Sequence, residues 1–192
     1  MRKLRTIEMN RLSIEEFKQA NKLPLIVVLD DVRSLYNVGS VFRTCDAFRV
    51  EAIYLCGITA TPPSNEIHKT ALGAEDSVAW HYFSTAEDAV EDLHRNGYFV
   101  YSVEQAEGST KLNHLDVEWR KVELQTLPPA NSQHTTSRFA VVFGNEVKGV
   151  HQNVIDISDG CLEIPQFGTK HSMNVSVTAG IVIWEFAKQF LK

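Results

Sequence analysis

The runs Leu25-Ile26-Val27-Val28-Leu29 and Phe139-Ala140-Val141-Val142-Phe143 are apolar at every position. A strand with one wet face alternates apolar and polar side chains, so these unbroken runs predict strands covered on both faces, as in a parallel sheet. Strands are also predicted over residues 50–56, 78–83, 98–103 and 161–164. Between them the period lengthens to that of a helix. Val38, Val41, Phe42, Cys45 and Phe48 share one face of a helix that Asn37-Val38-Gly39-Ser40 opens. Ala86, Ala89, Val90 and Leu93 form the inner stripe of an amphipathic helix over 85–95, stopped by Asn96-Gly97. A weaker helical pattern spans 65–71. The last helix, from Val175 onward, is apolar on almost every side, and a helix without a polar stripe is expected to be buried.

Strands alternating with helices indicate an α/β domain with a mainly parallel sheet and helices on both faces. At 192 residues the chain can form one domain with a sizeable core and no covalent staples. Residues 1–22 read as a short basic helical extension, in which Ser13 and Glu16 have capping-box spacing and after which Pro24 ends the segment. Residues 23–192 form the domain proper. The stretch 121–138, with Pro128-Pro129 and a polar run, reads as a loop of little structure.

A formal net charge of −5 argues against unspecific coating of nucleic acid. The charge is uneven, however. Arg2, Lys3, Arg5, Arg11, Lys18 and Lys22 crowd residues 1–22, whereas residues 75–118 hold ten acids against Arg95 and Lys111. A polyanionic partner is therefore expected on a local basic face. Cys45, Cys56 and Cys161 lack the spacing of a zinc knuckle and the seven histidines are scattered, so reducing surroundings and no metal site are expected. No apolar run is long enough to span a bilayer, and no signal core follows the basic N-terminus. The expectation is a cytoplasmic protein with no membrane partner.

In parallel α/β sheets ligands bind beyond the carboxyl ends of the strands. Three strand ends here carry polar, Gly-containing loops. They hold Asn37-Val38-Gly39-Ser40-Val41-Phe42-Arg43, then Gly144-Asn145-Glu146-Val147-Lys148-Gly149, then Ile164-Pro165-Gln166-Phe167-Gly168 running on to Ser172-Met173-Asn174-Val175-Ser176. Singly, each has a plain reading. Asn37 stands where a helix N-cap belongs, Ser172 and Asn174 suit the mouth of the closing helix, Arg43 suits a solvated surface and Glu146 suits a turn. All three at one edge of one sheet point to a site.

The patterns Asn37-x-Gly39-x-x-x-Arg43, Gly144-x-Glu146-x-x-Gly149 and Ile164-Pro165 with Ser172-Met173-Asn174-Val175-Ser176 resemble the three motifs of the SpoU (TrmH-like) RNA 2′-O-ribose methyltransferases, of the SPOUT class, over residues 24–190. The resemblance implies a C-terminal trefoil knot within residues 139–190, which general rules of chain topology would not suggest. It implies S-adenosyl-L-methionine as methyl donor, leaving as S-adenosyl-L-homocysteine, held at Gly144, Ile164 and Met173. It also implies a homodimer whose site is completed across the interface. Two positions depart from the family pattern: Gln166 stands where Met is frequent, and Met173 where Leu is usual. The second swap nearly conserves volume. Neither removes a reacting group.

A ribose hydroxyl is a poor nucleophile at neutral pH, so its proton must leave as the oxygen attacks the methyl carbon. Holding oxygen, carbon and sulfur in line supplies much of the remaining acceleration. The resemblance puts Arg43 beside the 2′-hydroxyl. A guanidinium is not deprotonated in proteins, so clamping the adjacent phosphate suits Arg43 better than acting as base. Asn37, Ser172 and Asn174 are expected to orient Arg43 and the ribose, and Glu146 to hold the loops. A 2′-hydroxyl acceptor means RNA. The basic segment 1–22 is similar to the leading helix of tRNA-directed relatives, which favours tRNA over rRNA. Two rival readings stay open. A knotted RNA-binding protein without turnover would have no need of Asn37, Arg43, Glu146, Ser172 and Asn174 together. An unrelated nucleotide-binding protein would need a Gly-x-Gly-x-x-Gly or Gly-Lys-Ser/Thr loop, and the chain has neither.

Overall fold

A computed structural model describes residues 1–116 and 137–190. Its seven strands are β1 (Leu23–Asp30), β2 (Val50–Cys56), β3 (Ala79–Phe83), β4 (Tyr98–Val103), β5 (Thr110–Lys111), β6 (Arg138–Phe143) and β7 (Gly160–Glu163). They form one sheet in the order β3-β2-β1-β6-β4-β7-β5, and every pairing is parallel. The helices are α1 (Ile14–Gln19), α2 (Leu35–Ala47), α3 (Asn65–Ala71), α4 (Ala74–Ser77), α5 (Ala86–Arg95), α6 (Gln152–Ile157) and α7 (Val175–Phe190). The unbroken apolar runs thus mark what parallel pairing demands, strands buried on both faces.

Side-chain alternation splits the core between those faces. Leu25, Val27 and Leu29 of β1 and Phe139, Val141 and Phe143 of β6 point to one side, where α2, α3 and α7 cover them with Val38, Val41, Phe42, Ile67, Val182 and Phe186. Ile26, Val28, Ala140 and Val142 point to the other, under Ala89, Val90 and Leu93 of α5 and Val154 of α6. Fully burying a Leu or Phe is worth about 1.5–3 kcal/mol of transfer free energy, so the first face, with Phe42, Phe139, Phe143 and Phe186, anchors the fold. Gly39 brings α2 and α3 unusually close: a methyl there would run into the Ile67 carbonyl and the Thr70 hydroxyl.

Most of the predicted strands and helices are present, and four differences bear on the site and the surface. The predicted 10–22 helix is shorter, a single α1 closed by the expected capping box: Ser13 Oγ accepts from Glu16 N at 3.2 Å and Glu16 Oε2 accepts from Ser13 N at 2.8 Å. The helix expected to open at Asn37 begins at Leu35, because Ser34 is its N-cap and accepts from Asn37 N at 3.3 Å. That frees the Asn37 side chain for other work. Helix α7 is not buried all round: Val177 and Trp184 are 52% and 44% exposed. The strand β5 was not legible, since two residues show no period; Thr110 pairs with Leu162 and Lys111 with Glu163. The loop expected over 121–138 lies outside the described residues except for Ser137 and Arg138, and Arg138 opens β6.

Parallel pairing puts all carboxyl ends on one edge, and the strand order decides which loops meet there. β6 lies directly beside β1, and β4 lies between β6 and β7. Loops far apart in sequence therefore converge above the middle of the sheet.

Candidate active site

Glu146, on the loop after β6, reaches over the loop after β1. Its Oε2 accepts from Arg33 N at 2.9 Å, and its Oε1 accepts from Ser34 N and from Asn37 Nδ2, each at 2.9 Å. Partial burial pushes this carboxyl's pKa up, but the three donors outweigh it, and the group sits below the ordinary glutamate value. Asn37 in turn accepts at Oδ1 from Asn174 Nδ2 at 3.1 Å. Asn174 caps α7, its Oδ1 accepting from Ser176 N at 2.9 Å and Ser176 Oγ at 2.6 Å. One hydrogen-bonded chain, Glu146–Asn37–Asn174, thus ties all three loops together.

The Gly144–Gly149 turn is held from both sides. Asn145 and Gly149 exchange backbone hydrogen bonds at 3.0 and 2.9 Å, and Asn145 Nδ2 donates to the Asp31 carbonyl at 2.7 Å. Gly149 has φ +71°, in the left-handed region that glycine adopts without penalty. A methyl on Gly144 would strike the backbone of Gly149 and Val150, and one on Gly149 would strike the Glu104 carboxylate. Below this turn opens a cavity of about 300 Å³. Phe143, Leu162, Ile164, Met173 and Val175 give it an apolar wall; Glu104, Glu146, Ser172 and Thr178 give it polar ends. An apolar slot with a few polar groups and exposed backbone suits a nucleoside-bearing cofactor of moderate size.

The sequence-predicted residues fall into two groups and one outlier. Gly144, Glu146, Ile164, Ser172 and Met173 line the one cavity. Asn37, Glu146 and Asn174 are hydrogen-bonded to each other. Arg43 belongs to neither: it is exposed and lines a separate depression with Ser40, Thr44, Ala47, Phe48, Lys69 and Thr70. Six helical residues separate it from Asn37, a turn of about 240° and a rise of about 9 Å, so the two cannot share a face.

Two sets of residues escaped the sequence reading. Glu104 directly follows β4, accepts from Gln105 N at 2.8 Å and Val150 N at 3.1 Å, and lines the cavity. Its position at a strand's carboxyl end was the available signal. Asp30 and His151 form the second set, with Asp30 buried and accepting from His151 N at 3.1 Å and facing its Nδ1 at 2.9 Å. Asp31 completes a cluster with them, but its Oδ1 accepts from Ile58 N at 2.9 Å. These groups fasten the loop after β1 to α6, and no periodicity announces a pair 121 residues apart. The thiols of Cys45 and Cys56 are buried, and burial pushes both pKa values up, away from reactivity.

Three interlocked loops over a cofactor-sized cavity thus stand at the carboxyl edge of the sheet, where parallel α/β proteins bind their ligands. The sequence matches the SpoU rRNA Methylase family over residues 24–184, and the chain belongs to that family. It is 28% identical over 185 residues to the tRNA (guanosine(18)-2′-O)-methyltransferase of Thermus thermophilus, covering 96% of this chain and 85% of that one. It is 28% identical to the 23S rRNA (guanosine-2′-O-)-methyltransferase RlmB of Neisseria meningitidis, covering 94% of this chain and 65% of that one. Among solved structures, the TrmH/SpoU tRNA modifying enzyme of A. aeolicus superposes with a TM-score of 0.72 at 22% identity, over 92% of this chain and 81% of that one. An AdoMet-bound rRNA methyltransferase from Sinorhizobium meliloti also gives 0.72, at 23% identity, over 90% of this chain and 62% of that one.

Proposed function

We propose that this chain transfers a methyl group from S-adenosyl-L-methionine to a ribose 2′-hydroxyl of RNA, with tRNA as its substrate. The observation that carries the reading is the Glu146–Asn37–Asn174 chain closing over a cavity lined by Gly144, Ile164 and Met173. It joins all three family motifs at one edge of the sheet. Membership in a methylase family and the tRNA- and rRNA-directed relatives support it.

When bound, the cofactor supplies an electrophilic methyl on a sulfonium centre. Its adenosine part fits the apolar wall of Leu162, Ile164, Met173 and Val175, with the bare backbone at Gly144 allowing close approach. Ser172 stands at the rim of this cavity and orients the ribose. Glu146 accepts from three donors and so fixes the loops; those donors hold its pKa below the ordinary value, which suits it poorly to serve as the base. Arg43 holds the phosphate beside the reacting nucleotide, and the hydroxyl proton leaves through that phosphate or water.

The separation of Arg43 from the cavity favours a site completed by a second copy. Val177 and Trp184 lie two helical turns apart on α7, with the half-buried Ile181 between them, and form an uncovered apolar stripe. Phe48 packs on Trp184 and also lines the depression that holds Arg43, so a homodimer burying this stripe has Arg43 beside its interface. The late strands β6 and β7 enter between strands laid down earlier, an order compatible with a knotted C-terminal part over residues 139–190. Residues 1–22 form a basic extension to the domain, and we place the protein in the cytoplasm, with tRNA. No helix among the described residues is long and apolar enough to cross a membrane.

Purified protein incubated with labelled S-adenosyl-L-methionine and separate pools of unmodified tRNA and rRNA tests the reading. A labelled 2′-O-methylnucleoside at one tRNA position is expected. Label on a base would overturn the ribose mechanism, label in rRNA alone would overturn the substrate, and no transfer with cofactor bound would favour an RNA-binding protein without turnover.

A further inference from the structure

Outside the cavity, the depression around Arg43 is the one whose chemistry is least explained by the loop network. Its floor is built where α3 docks on α2. Gly39 leaves room for the Ile67 carbonyl and the Thr70 side chain, and Thr70 Oγ1 donates to the Tyr36 carbonyl at 2.9 Å. Ile67 and Ala71 then turn inward, and Lys69 is left exposed on the rim that α3 shares with Arg43.

The hydroxyls lining this depression have spent their protons. Ser40 Oγ donates to the Tyr36 carbonyl at 2.8 Å, Thr44 Oγ1 to the Ser40 carbonyl at 3.0 Å, and Thr70 Oγ1 as above. The donors still available are therefore the guanidinium of Arg43 and the ammonium of Lys69, and no carboxylate lines the depression with them. The neighbouring acids are committed elsewhere. Asp46 accepts from Ser77 Oγ at 2.6 Å, Glu75 faces His68 Nδ1 at 2.5 Å, and Glu66 accepts from Ser64 Oγ at 3.3 Å. Neither Arg43 nor Lys69 has an ion-pair partner among the described residues. In a chain of net charge −5, two cations facing one depression with no carboxylate in its lining make a local anion site.

We propose that Lys69 and Arg43 together form a phosphodiester-binding subsite, in which Lys69 holds an RNA backbone phosphate next to the one that Arg43 clamps. Lys69 is then a positioning residue for the transfer reaction, and the motif glycine Gly39 lets α3, which carries Lys69, dock closely on α2, which carries Arg43. This inference rests on the RNA methyltransferase reading for its ligand.

The test is fluorescence anisotropy of a labelled tRNA transcript across a salt series, with steady-state methyl transfer measured in parallel. Lys69→Gln is expected to weaken RNA binding roughly tenfold and to lower the salt slope by about one. It should raise KM for RNA with kcat nearly kept, leave cofactor binding unchanged, and be rescued by Lys69→Arg. Arg95→Gln, on the opposite face of the sheet, controls for bulk charge. Wild-type affinity and slope in Lys69→Gln, or an equal loss in Arg95→Gln, would overturn the subsite. If the wild type transfers methyl to no RNA but binding still depends on Lys69, the subsite stands and the enzymatic reading falls.

Discussion

Asn174 Nδ2 donates to Asn37 Oδ1 over 3.1 Å, joining two side chains 137 residues apart. The direction of this bond is imposed at both ends. Asn174 Oδ1 is taken by the first N–H groups of α7, which turns its amide nitrogen outward. The Glu146 carboxylate can only accept, which turns the Asn37 nitrogen toward it. Asn37 must thus donate on one side, to Glu146, and accept on the other, from Asn174. Asn37→Asp should destabilise the protein by about 1–3 kcal/mol, since it removes the donor and sets two carboxylates together. Urea denaturation of Asn37→Asp, Asn174→Ala and the double variant would show coupling between the sites; strictly additive losses would mean the bond carries nothing.

The pH dependence of Glu146 has a definite sign. Its folded pKa is held below the unfolded value, so its contribution is complete above the ordinary glutamate pKa of about 4.3 and is lost as pH falls through the folded value. Wild type should therefore exceed Glu146→Gln in stability at pH 7, and the two should converge as pH falls through the lowered folded pKa. Denaturation curves from pH 7 to 3 check this. A constant gap would show that the amide loses shape complementarity and not charge.

Arg43→Ala separates binding from chemistry. Arg43 does not line the cavity, so cofactor affinity should survive, while methyl transfer should fall by about a hundredfold or more from lost positioning. Calorimetric titration with S-adenosyl-L-methionine beside single-turnover transfer gives both numbers. Loss of cofactor binding would place Arg43 in the wrong role.

Gly144→Ala should do the reverse. The added methyl meets backbone atoms of Gly149 and Val150, which cannot move aside as a side chain can. A cost of about 1–3 kcal/mol in stability and a sharp loss of cofactor affinity are expected, read from thermal melting and the same titration.

Trp184→Glu tests the second copy. Trp184 packs against Phe48 in a tilted ring pair, with centroids 5.8 Å apart, yet stays 44% exposed. A charge on this stripe should convert a dimer to a monomer in light scattering, with methyl transfer falling alongside. A wild-type monomer would remove the argument for a shared site.

Local sequence determined the elements. Apolar runs marked β1, β2, β4 and β6, the helical stripes marked α2 and α5, and the Ser13–Glu16 capping box placed α1, because each signal is written within a short stretch of chain. The three motif loops were legible for the same reason. What tertiary structure alone decided was which loops meet. The strand order sets β6 beside β1, and only that places Glu146 over Arg33, Ser34 and Asn37. It reassigned the N-cap of α2 from Asn37 to Ser34, which leaves the Asn37 side chain to meet a carboxylate and a second amide. It exposed one stripe of a helix whose composition called for burial, and it set Lys69 beside Arg43 through the missing side chain of Gly39. Pairings of this kind depend on distances between residues remote in the chain, and local periodicity holds no record of them.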